Sequence, residues 1–594
     1  MVNLKSDTAM ENKKKNMKRS NITQLIFSFI IIILINVIGY FVFFRADLTS
    51  EKRYSLSKTT KDLLKNLDDI VYFKVYLEGD FPAGFKRLHN ETKEMLDEFR
   101  AYNKNIQYEF YDPNTITNKK ERNELYKQLV AKGLQPTNLQ VKDKGATKQQ
   151  IIFPCAEVTY KNKTIPLELL NSQLGLESES VINNSIQALE YNISNTIRKL
   201  SIRSKPKVAI IEGQGELRKI DLYDITTSLS EYYQVEFVHL KDSVNGKFSV
   251  NINSLTDHPD SDTSKTKIRN KYTAIIIAKP TLAFTDREKF VIDQFVMYGG
   301  KVLWLVDPVF TSMDSLKESN HTVAVTNEIN LTDQLFKYGV RLNTNLIQDL
   351  NALPIPTVVG KVGGQPQIKF MPWYYFPIIM PTSKHPIVNN LNAIKTEFVS
   401  SIDTIENNVK KTILLSSSNY SRLVNAPVII DLEIQKKKPD TRMFNKPFQP
   451  VAVLLEGTFE SNFIHNMTPE ITESKLIGFM TKSVPTSMIV VADGDIIKNQ
   501  LHYSKGYPLP LGYDQFTKQT FGNKEFVLNC MNYLTDGASL ITVRSRELKL
   551  RMLNKTEMDE SRLKWQLINV IVPVLLVLLF GIIQVYLRKR KYSV

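Results

Sequence analysis

The sequence ends in an apolar run, residues 567–587, that contains no charged residue and is followed by Arg588, Lys589, Arg590 and Lys591. An α-helix needs about twenty apolar residues to cross the roughly 30 Å hydrocarbon core of a bilayer. Basic residues beside a span mark its cytoplasmic end. We therefore expect a transmembrane helix at 567–587 and a cytoplasmic tail at 588–594, with a buried core helix as the less favoured alternative.

A second apolar run, residues 22–44, follows the basic tail 1–21. The same charge rule places this tail in the cytoplasm, so everything between the two runs is expected outside it. The alternative is a cleaved signal peptide. Its apolar part would be only 7–15 residues long, and the stretch from Phe43 to Ala46 lacks the small-x-small pattern of a cleavage site. An uncleaved transmembrane anchor is therefore favoured.

The formal net charge of +16 could suggest a nucleic-acid-binding protein. Half of that charge lies in the two tails: residues 1–20 hold six basic and two acidic side chains, and Arg588 to Lys591 add four basic ones. Membrane topology and lipid headgroups explain charge in such positions. No nucleic-acid-recognition motif is present, so we expect membrane lipid and no nucleic acid as a partner.

Residues 45–200 are expected to hold a juxtamembrane segment and a thioredoxin-like α/β domain. Ser57 can cap a helix at 58–66. Beyond it the pattern predicts strands and helices in the order β, α, β, α, β, β, at 70–77, 85–102, 106–111, 121–129, 150–153 and 157–160. This order suits a thioredoxin-like layer, but the paired cysteines of thioredoxin redox chemistry are absent.

Residues 201–543 are expected to form a doubly wound parallel-sheet domain with insertions, preceded by a linking helix at 178–200. Apolar strands alternate with helices, the pattern typical of a sheet covered on both faces. Strands are predicted at 207–211, 235–238, 274–278 and 301–306, and strands at 412–415, 451–454 and 488–492 should complete the sheet. Residues 243–272 resemble a solvated insertion, the Pro-rich stretch 354–386 has no predicted place, and 544–566 is a charged helical connector.

Two short motifs fall at predicted strand ends, where open α/β sheets bind ligands. Glu212-Gly213-Gln214-Gly215-Glu216 lacks the third glycine of a dinucleotide fingerprint, because position 218 is Arg. Asp493-Gly494-Asp495 lacks the glutamate that closes an EF-hand loop, because position 504 is Ser. A turn is the favoured reading of each motif. The alternative is ligand binding by Glu212, Gly213, Gln214, Gly215, Asp493 and Asp495.

Other chemistry has little support in the sequence. The seven histidines form no H-x-x-x-H or H-E-x-x-H pair, and Cys155 and Cys530 belong to no zinc or redox motif. No G-x-S-x-G elbow is present. We therefore expect no metal, no cofactor and no catalytic residue, and two buried free thiols in preference to one disulfide.

Seven stretches of the sequence together resemble the GldG family of gliding-motility-associated ABC transporter auxiliary proteins, often described as substrate-binding-like. They are residues 47–57, 75–88, 205–217, 492–497, 508–514, 521–526 and 544–551. The resemblance implies a bacterial inner-membrane protein that works with a separate permease and a separate ATPase. It also implies a central domain similar to the glutamine-amidotransferase fold without its catalytic cysteine.

Three hypotheses follow. The leading one is a non-enzymatic, two-span auxiliary component of an ABC transporter with a separate permease and a separate ATPase. Its large periplasmic part would couple the transporter to gliding or secretion machinery, or present an unknown ligand to it. The chain has no G-x-x-x-x-G-K-[ST] sequence, so a partner would have to hydrolyse ATP. The others are an extracytoplasmic hydrolase using acids such as Glu212, Glu216 or Asp493, and a mechanical scaffold of the cell envelope.

Overall fold

The computed structural model describes residues 19–37, 55–143, 146–202, 204–244, 247–250, 254–257, 268–464, 473, 478–535, 540–545 and 561–592. Several predicted segments lie partly outside this part: residues 1–18 of the tail 1–21, residues 38–44 of the transmembrane helix 22–44, and residues 546–560 of the connector 544–566. Residues 45–54, 593 and 594 also lie outside it. The chain divides into two compact units, Met1–Ser55 and Leu56–Val594. The architecture is mixed α/β.

The α-helices of the described part are numbered in chain order. They are α1 (Arg19–Val37), α2 (Lys58–Lys65), α3 (Ala83–Tyr102), α4 (Lys119–Ala131), α5 (Ser178–Ser201), α6 (Tyr223–Ser230), α7 (Asp286–Met297), α8 (Met313–Glu318), α9 (Thr332–Tyr338), α10 (Asn523–Thr535) and α11 (Arg562–Tyr592).

The strands are numbered in the same way. They are β1 (Val71–Val75), β2 (Ile106–Phe110), β3 (Thr137–Asp143), β4 (Ala146–Ile152), β5 (Cys155–Tyr160), β6 (Lys163–Glu168), β7 (Lys207–Glu212), β8 (Gln234–His239), β9 (Lys241–Val244), β10 (Lys247–Val250), β11 (Thr256–Asp257), β12 (Arg269–Asn270), β13 (Ala274–Ala278), β14 (Lys301–Leu305), β15 (Val309–Phe310), β16 (His321–Thr326), β17 (Val340–Leu342), β18 (Asn345–Asp349), β19 (Ala352–Val362), β20 (Gln365–Ile379), β21 (Ile394–Lys395), β22 (Ile402–Thr404), β23 (Lys410–Ser416), β24 (Ser421–Asn425), β25 (Val428–Asp431), β26 (Pro450–Gly457), β27 (Thr486–Val491), β28 (Tyr513–Asp514) and β29 (Gln519–Thr520).

Helices α1 and α11 are long and apolar enough to cross a membrane, and no residue of the apolar stretch of either helix is buried within the protein. In α1, the polar side chains of Thr23, Ser28 and Asn36 donate hydrogen bonds to carbonyl oxygens one turn earlier. Such internal satisfaction is what a helix surrounded by lipid requires. The two helices are compatible with membrane anchoring at both ends of the chain.

The region after α1 folds around a four-stranded sheet in the order β2-β1-β5-β6. Strands β1 and β2 are parallel, with α3 between them in the chain, whereas β5 is antiparallel to both β1 and β6. Helix α5 closes this core with Ile186, Leu189 and Ile193, which are spaced to lie on one helix face. The predicted helix cap is confirmed, because the Ser57 hydroxyl accepts a hydrogen bond from the backbone N–H of Thr60.

The largest sheet of the described residues, which we call the central sheet, has seven strands in the order β8-β7-β13-β14-β27-β26-β23. The first five strands are parallel, whereas β26 and β23 are antiparallel, so the sheet is mixed and the prediction of a parallel sheet is wrong at this edge. Helices α6 and α10 contribute to the core on one face, and α7 and α9 to the core on the other. Strand β13 is therefore buried along its whole length, as its continuous apolar sequence predicts.

A further core surrounds Trp373, at the base of the long hairpin formed by β19 and β20. Much of the Pro-rich region with no predicted place is this hairpin. Part of the predicted solvated insertion 243–272 also differs from expectation. The side chain of Leu255 is fully buried and Tyr272 nearly so, because the short pair β11 and β12 packs this segment against the sheet.

Candidate functional site

The parallel strands of the central sheet all deliver their carboxyl ends to one edge, the place where ligands bind in open α/β sheets. Strand β7 ends in the loop from Glu212 to Glu216. Strand β13 is followed by Lys279, β14 by Val306 and Asp307, and β27 by Ala492 and the stretch from Asp493 to Asp495. Both predicted motifs therefore lie at this edge, in two separate groups of residues.

The first group, which we call the acid–lysine cluster, consists of Lys279, Asp307, Asp493, Asp495 and Lys498. The Nζ atom of Lys279 lies 2.9 Å from Oδ2 of Asp307 and also contacts Oδ2 of Asp495. Lys498 pairs with the other carboxylate oxygen of Asp495 at 3.4 Å. Because all three aspartates are buried, these contacts hold most of the charge of the cluster away from solvent.

Backbone N–H groups bind the remaining carboxylate oxygens of the cluster. Asp493 accepts hydrogen bonds from the N–H of Asp495 at 2.8 Å and of Glu397 at 3.0 Å. Oδ1 of Asp307 accepts one from the N–H of Gly494. The carboxylates thus fold the Asp493–Asp495 loop onto the end of β14, which gives them a structural task.

Burial and mutual charge set the ionisation of the cluster. Burial raises the pKa of Asp307, and burial together with the neighbouring charges of Asp307 and Asp495 raises that of Asp493 well above its usual range. Burial acts the same way on Asp495, but the charges of Lys279 and Lys498 outweigh it and lower the pKa of that carboxyl. The two lysines therefore favour the ionised form of Asp495, whereas burial opposes ionisation of Asp307 and Asp493.

The second group is the loop after β7. Gly213 and Gly215 have φ angles of +119° and +71°, which L side chains rarely adopt. The carbonyl oxygen of Gln214 accepts hydrogen bonds from the N–H groups of Thr281 and Leu282, both at 2.9 Å, and Thr281 Oγ1 donates to the carbonyl oxygen of Gly215 at 2.9 Å. The two glycines allow the loop to bend against the segment that follows β13.

The polar side chains of this loop point inward. The Gln214 amide donates to Oε1 of Glu288, the residue that completes the capping box of α7. Glu216 Oε2 accepts a hydrogen bond from the N–H of Gln214 at 2.7 Å. Burial, with a smaller effect of the Glu212 charge, raises the pKa of Glu216 to about 7. In this loop, Oε1 of Gln214 and Oε1 of Glu216 are buried and have no hydrogen-bond partner within the described part of the chain.

The residues predicted to bind a ligand are therefore split between two internal networks. Glu212 sits apart from the buried acids, with Lys219 at 3.5 Å and His239 at 3.4 Å. Within the described ranges, no group of three or more His, Cys, Asp or Glu side chains is arranged to hold a metal ion. Cavities of about 540 and 260 Å³ are lined by other parts of the chain, around Asp333 and Asn390 respectively.

The two cysteines are buried and free, as predicted. Burial raises the pKa of both thiols, so neither has the ionised sulfur that nucleophilic chemistry requires. They act as small apolar side chains in their cores.

A family model for an ABC-type uncharacterized transport system matches residues 205–530, which include the central sheet and every residue of both groups. The chain belongs to this family. It is therefore an auxiliary protein of an ABC-type transport system. Membership of this family implies that the chain associates with components of a transporter. A second model, for a domain of unknown function, matches residues 50–159.

This chain is similar to an uncharacterized protein of Borreliella burgdorferi. The two are 21% identical over 588 residues, covering 97% of this chain and 99% of the relative. Among solved structures, the mmIFT52 N-terminal domain is 11% identical with a TM-score of 0.29, covering 55% of this chain and 97% of that one. The exo-beta-1,4-mannosidase Op5Man5 from Opitutaceae bacterium strain TAV5 is 9% identical with a TM-score of 0.16, covering 83% and 54%. These TM-scores are too low to assign a shared fold.

The sequence patterns did not predict that Lys279, Asp307 and Lys498 belong to the acid–lysine cluster. A signal was available for two of them: Lys279-Pro280 and Asp307-Pro308 both place a charged residue and a proline just after an apolar strand. A charge at the carboxyl end of a parallel strand falls at the ligand edge of the sheet. Only the order of the strands, however, brings these charges together.

Proposed function

We propose that this chain is a non-enzymatic, two-span auxiliary subunit of an ABC transporter associated with gliding motility, related to the GldG family. Its body would lie in the periplasm and its two ends in the cytoplasm, with a separate permease and a separate ATPase as partners. The observation that carries the proposal is the transport-family match over the central sheet, combined with an apolar helix near each end of the chain.

The absence of a Walker A sequence supports the division of labour, since hydrolysis of ATP would come from another chain. The closed state of the acid–lysine cluster supports a non-enzymatic role. Its ion pairs and backbone hydrogen bonds occupy the carboxylates that a hydrolase would direct at a substrate. In this proposal, the sheet edge stabilises the fold and the function lies in contacts with other subunits.

We also propose the two finer fold assignments. A thioredoxin-like first domain is supported by the order β2-β1-β5-β6, with a parallel pair beside an antiparallel pair. A glutamine-amidotransferase-like central domain is supported by the five parallel strands with helices on both faces. Neither assignment brings the chemistry of those folds with it.

The partnership is tested by purifying the full chain in mild detergent after brief crosslinking of intact cells. We expect a permease and an ATPase to be recovered with it. A matched purification of an unrelated two-span membrane protein sets the background. Recovery of neither subunit above that background would contradict the proposal.

The topology is tested with single cysteines, because both natural thiols are buried. Ser504→Cys lies on an exposed turn, and Lys591→Cys lies in the basic tail. In spheroplasts, a membrane-impermeant maleimide should label the first variant and leave the second unlabelled until the cells are lysed. Labelling of Lys591→Cys before lysis, with Ser504→Cys protected, would place the body in the cytoplasm and refute the proposed topology.

The hydrolase is the second candidate, and one observation favours it: Glu216, with its pKa raised to about 7, lies close enough to Glu212 to feel its charge. A general acid or base works best near the operating pH. Against it, Glu216 accepts a hydrogen bond from the backbone of its own loop, and Glu212 is paired with Lys219 and His239. Native mass spectrometry of the purified chain is the direct test, because a bound small molecule lost in Glu216→Gln would favour this candidate.

A further inference from the structure

The hairpin of β19 and β20 carries a solvent-exposed projection, residues 358–370, which we call the arm. All of its side chains that the structure describes are exposed. A Cβ atom added at Gly360, Gly363 or Gly364 would meet no other atom within 4 Å. The base of the hairpin is buried in the core around Trp373. The arm is therefore a firmly anchored ribbon that has no packing partner within the described part of the chain.

The arm has one apolar and one polar face. Val358 pairs with Ile368, and Phe370 with Pro356, so these side chains share a face. Val358, Ile368 and Phe370 are 51%, 60% and 49% exposed. The opposite face carries Gln365, Gln367 and Lys369. A sheet face normally becomes apolar because something covers it, which makes this exposed face an interaction surface.

Prolines protect the edges of the ribbon. Pro354 and Pro372 lie opposite each other, and neither has the N–H group that a hydrogen-bonded pair exchanges. Every second residue along each strand from these prolines is therefore also outside the ladder and directs its N–H group away from the neighbouring strand. Pro356 and Pro366 have no N–H to offer there. Prolines in these positions oppose the addition of a further strand. A partner would therefore bind the apolar face of the arm and not extend its edge.

The charge of the arm and of the sequence around it indicates which kind of partner the apolar face would bind. The sequence contains no Asp or Glu from 350 to 396, whereas Lys361 and Lys369 lie in the arm. A complementary surface is acidic. A second copy of this chain is a poor match, because even without its tails the chain carries excess positive charge. Lipid is also a poor match, since the outward carbonyl groups of the ribbon would lose water without gaining a donor.

We propose that the apolar face of the arm docks onto an apolar surface of a transporter subunit that is bordered by acidic side chains. This inference rests on the proposed function, because it names the contact through which the auxiliary subunit holds its partner. Val358, Ile368 and Phe370 contact the apolar surface, and Lys361, which lies opposite Pro366 in the hairpin, pairs with its acidic border.

The test compares two adjacent residues of the full chain in the co-purification described above. Ile368→Asp places a charge on the apolar face, and Gln367→Asp places the same charge on the polar face. Loss of a central apolar contact costs an interface about tenfold or more in affinity. We expect Ile368→Asp to lower recovery of the partner at least that much, and Gln367→Asp to lower it less. Both positions are exposed, so the melting temperatures should stay unchanged.

A photoreactive residue at position 368 then identifies what covers the face. A crosslink to a transporter subunit, mapped to an apolar stretch flanked by Asp or Glu and weakened by Lys361→Glu, would support the proposal. A crosslink to lipid or to a second copy of the chain would overturn it. Equal recovery with Ile368→Asp and wild type would overturn the docking site while leaving the transporter partnership intact. Recovery of nothing with wild type would refute the partnership itself.

Discussion

The carboxyl edge of the central sheet and the arm differ in which type of side chain they bury and which type they expose to solvent. The sheet edge holds charged residues in positions where α/β proteins bind ligands, yet its lysines and aspartates neutralise one another inside the protein. The arm holds apolar residues where water reaches both faces. Charged residues at a ligand-binding position can therefore stabilise the fold, while exposed apolar residues form the surface that a partner could bind.

The largest effect is expected at the centre of the acid–lysine cluster. Lys279→Met keeps the length of the side chain but leaves Asp307 and Asp495 buried without their shared cation. Breaking a buried ion pair from one side costs about 3–5 kcal/mol. Thermal unfolding of the purified full chain should show this as a large fall in melting temperature.

The double variant Lys279→Met/Asp495→Asn checks the cause, because removing both charges should cost less than the sum of the two single changes. Lys505→Met, on an exposed turn, is the matched control and should change nothing measurable. A stable Lys279→Met protein would mean that the cluster is open to water and available for ligands. The contrast between the two regions would then fail.

The second effect concerns Glu216 and depends on pH. The folded protein binds this proton more tightly than the unfolded chain, since the pKa of Glu216 rises from 4.5 to about 7 on folding. Its contribution to stability is therefore present below pH 4.5 and is lost as the pH rises towards 7. Each unit of pKa shift corresponds to about 1.4 kcal/mol, so the whole effect reaches about 3 kcal/mol.

Glu216→Gln removes this titration, so the variant should melt higher than wild type at pH 8 and lose the advantage near pH 4.5. Glu124→Gln, on an exposed helix face, is the control and should show no such difference. Melting curves of both variants between pH 4.5 and 8 provide the measurement. A parallel pH dependence of Glu216→Gln and wild type would show that this carboxyl is solvated in the folded protein.

Local sequence patterns predicted much of the fold. Continuous apolar runs located β13 and β14, and the Ser57 cap located the start of α2, because burial on both faces and capping leave signatures within a few residues. The sequence position of a strand end also placed Glu212 and Asp493 at the ligand edge of a sheet. The sequence did not reveal which charged residues lie next to one another in the folded protein. Lys279 meets Asp495 only because β13, β14 and β27 are adjacent, although more than two hundred residues separate the pair.

The arm escaped sequence reasoning for a different reason. Prolines count against a strand, and Pro354, Pro356, Pro366 and Pro372 interrupt the pattern of β19 and β20. In the structure, the parity of the pairing directs these positions to the ribbon edges, where no N–H is needed. Register, a property of two strands together, decides whether a proline is tolerated, and neither strand reveals it alone.

The smallest effects come from adding one methyl group in each region. In Gly494→Ala the new Cβ would lie 2.6 and 2.7 Å from side-chain carbons of Lys279, so the cluster must shift. Overpacking of this kind costs about 1–3 kcal/mol. Gly360→Ala in the arm meets nothing within 4 Å and needs no left-handed backbone, so its melting temperature should equal that of wild type. If Gly360→Ala proved the more destabilising of the two, the arm would be packed and the sheet edge loose. That result would reverse the assignment of a structural role to the cluster and a docking role to the arm.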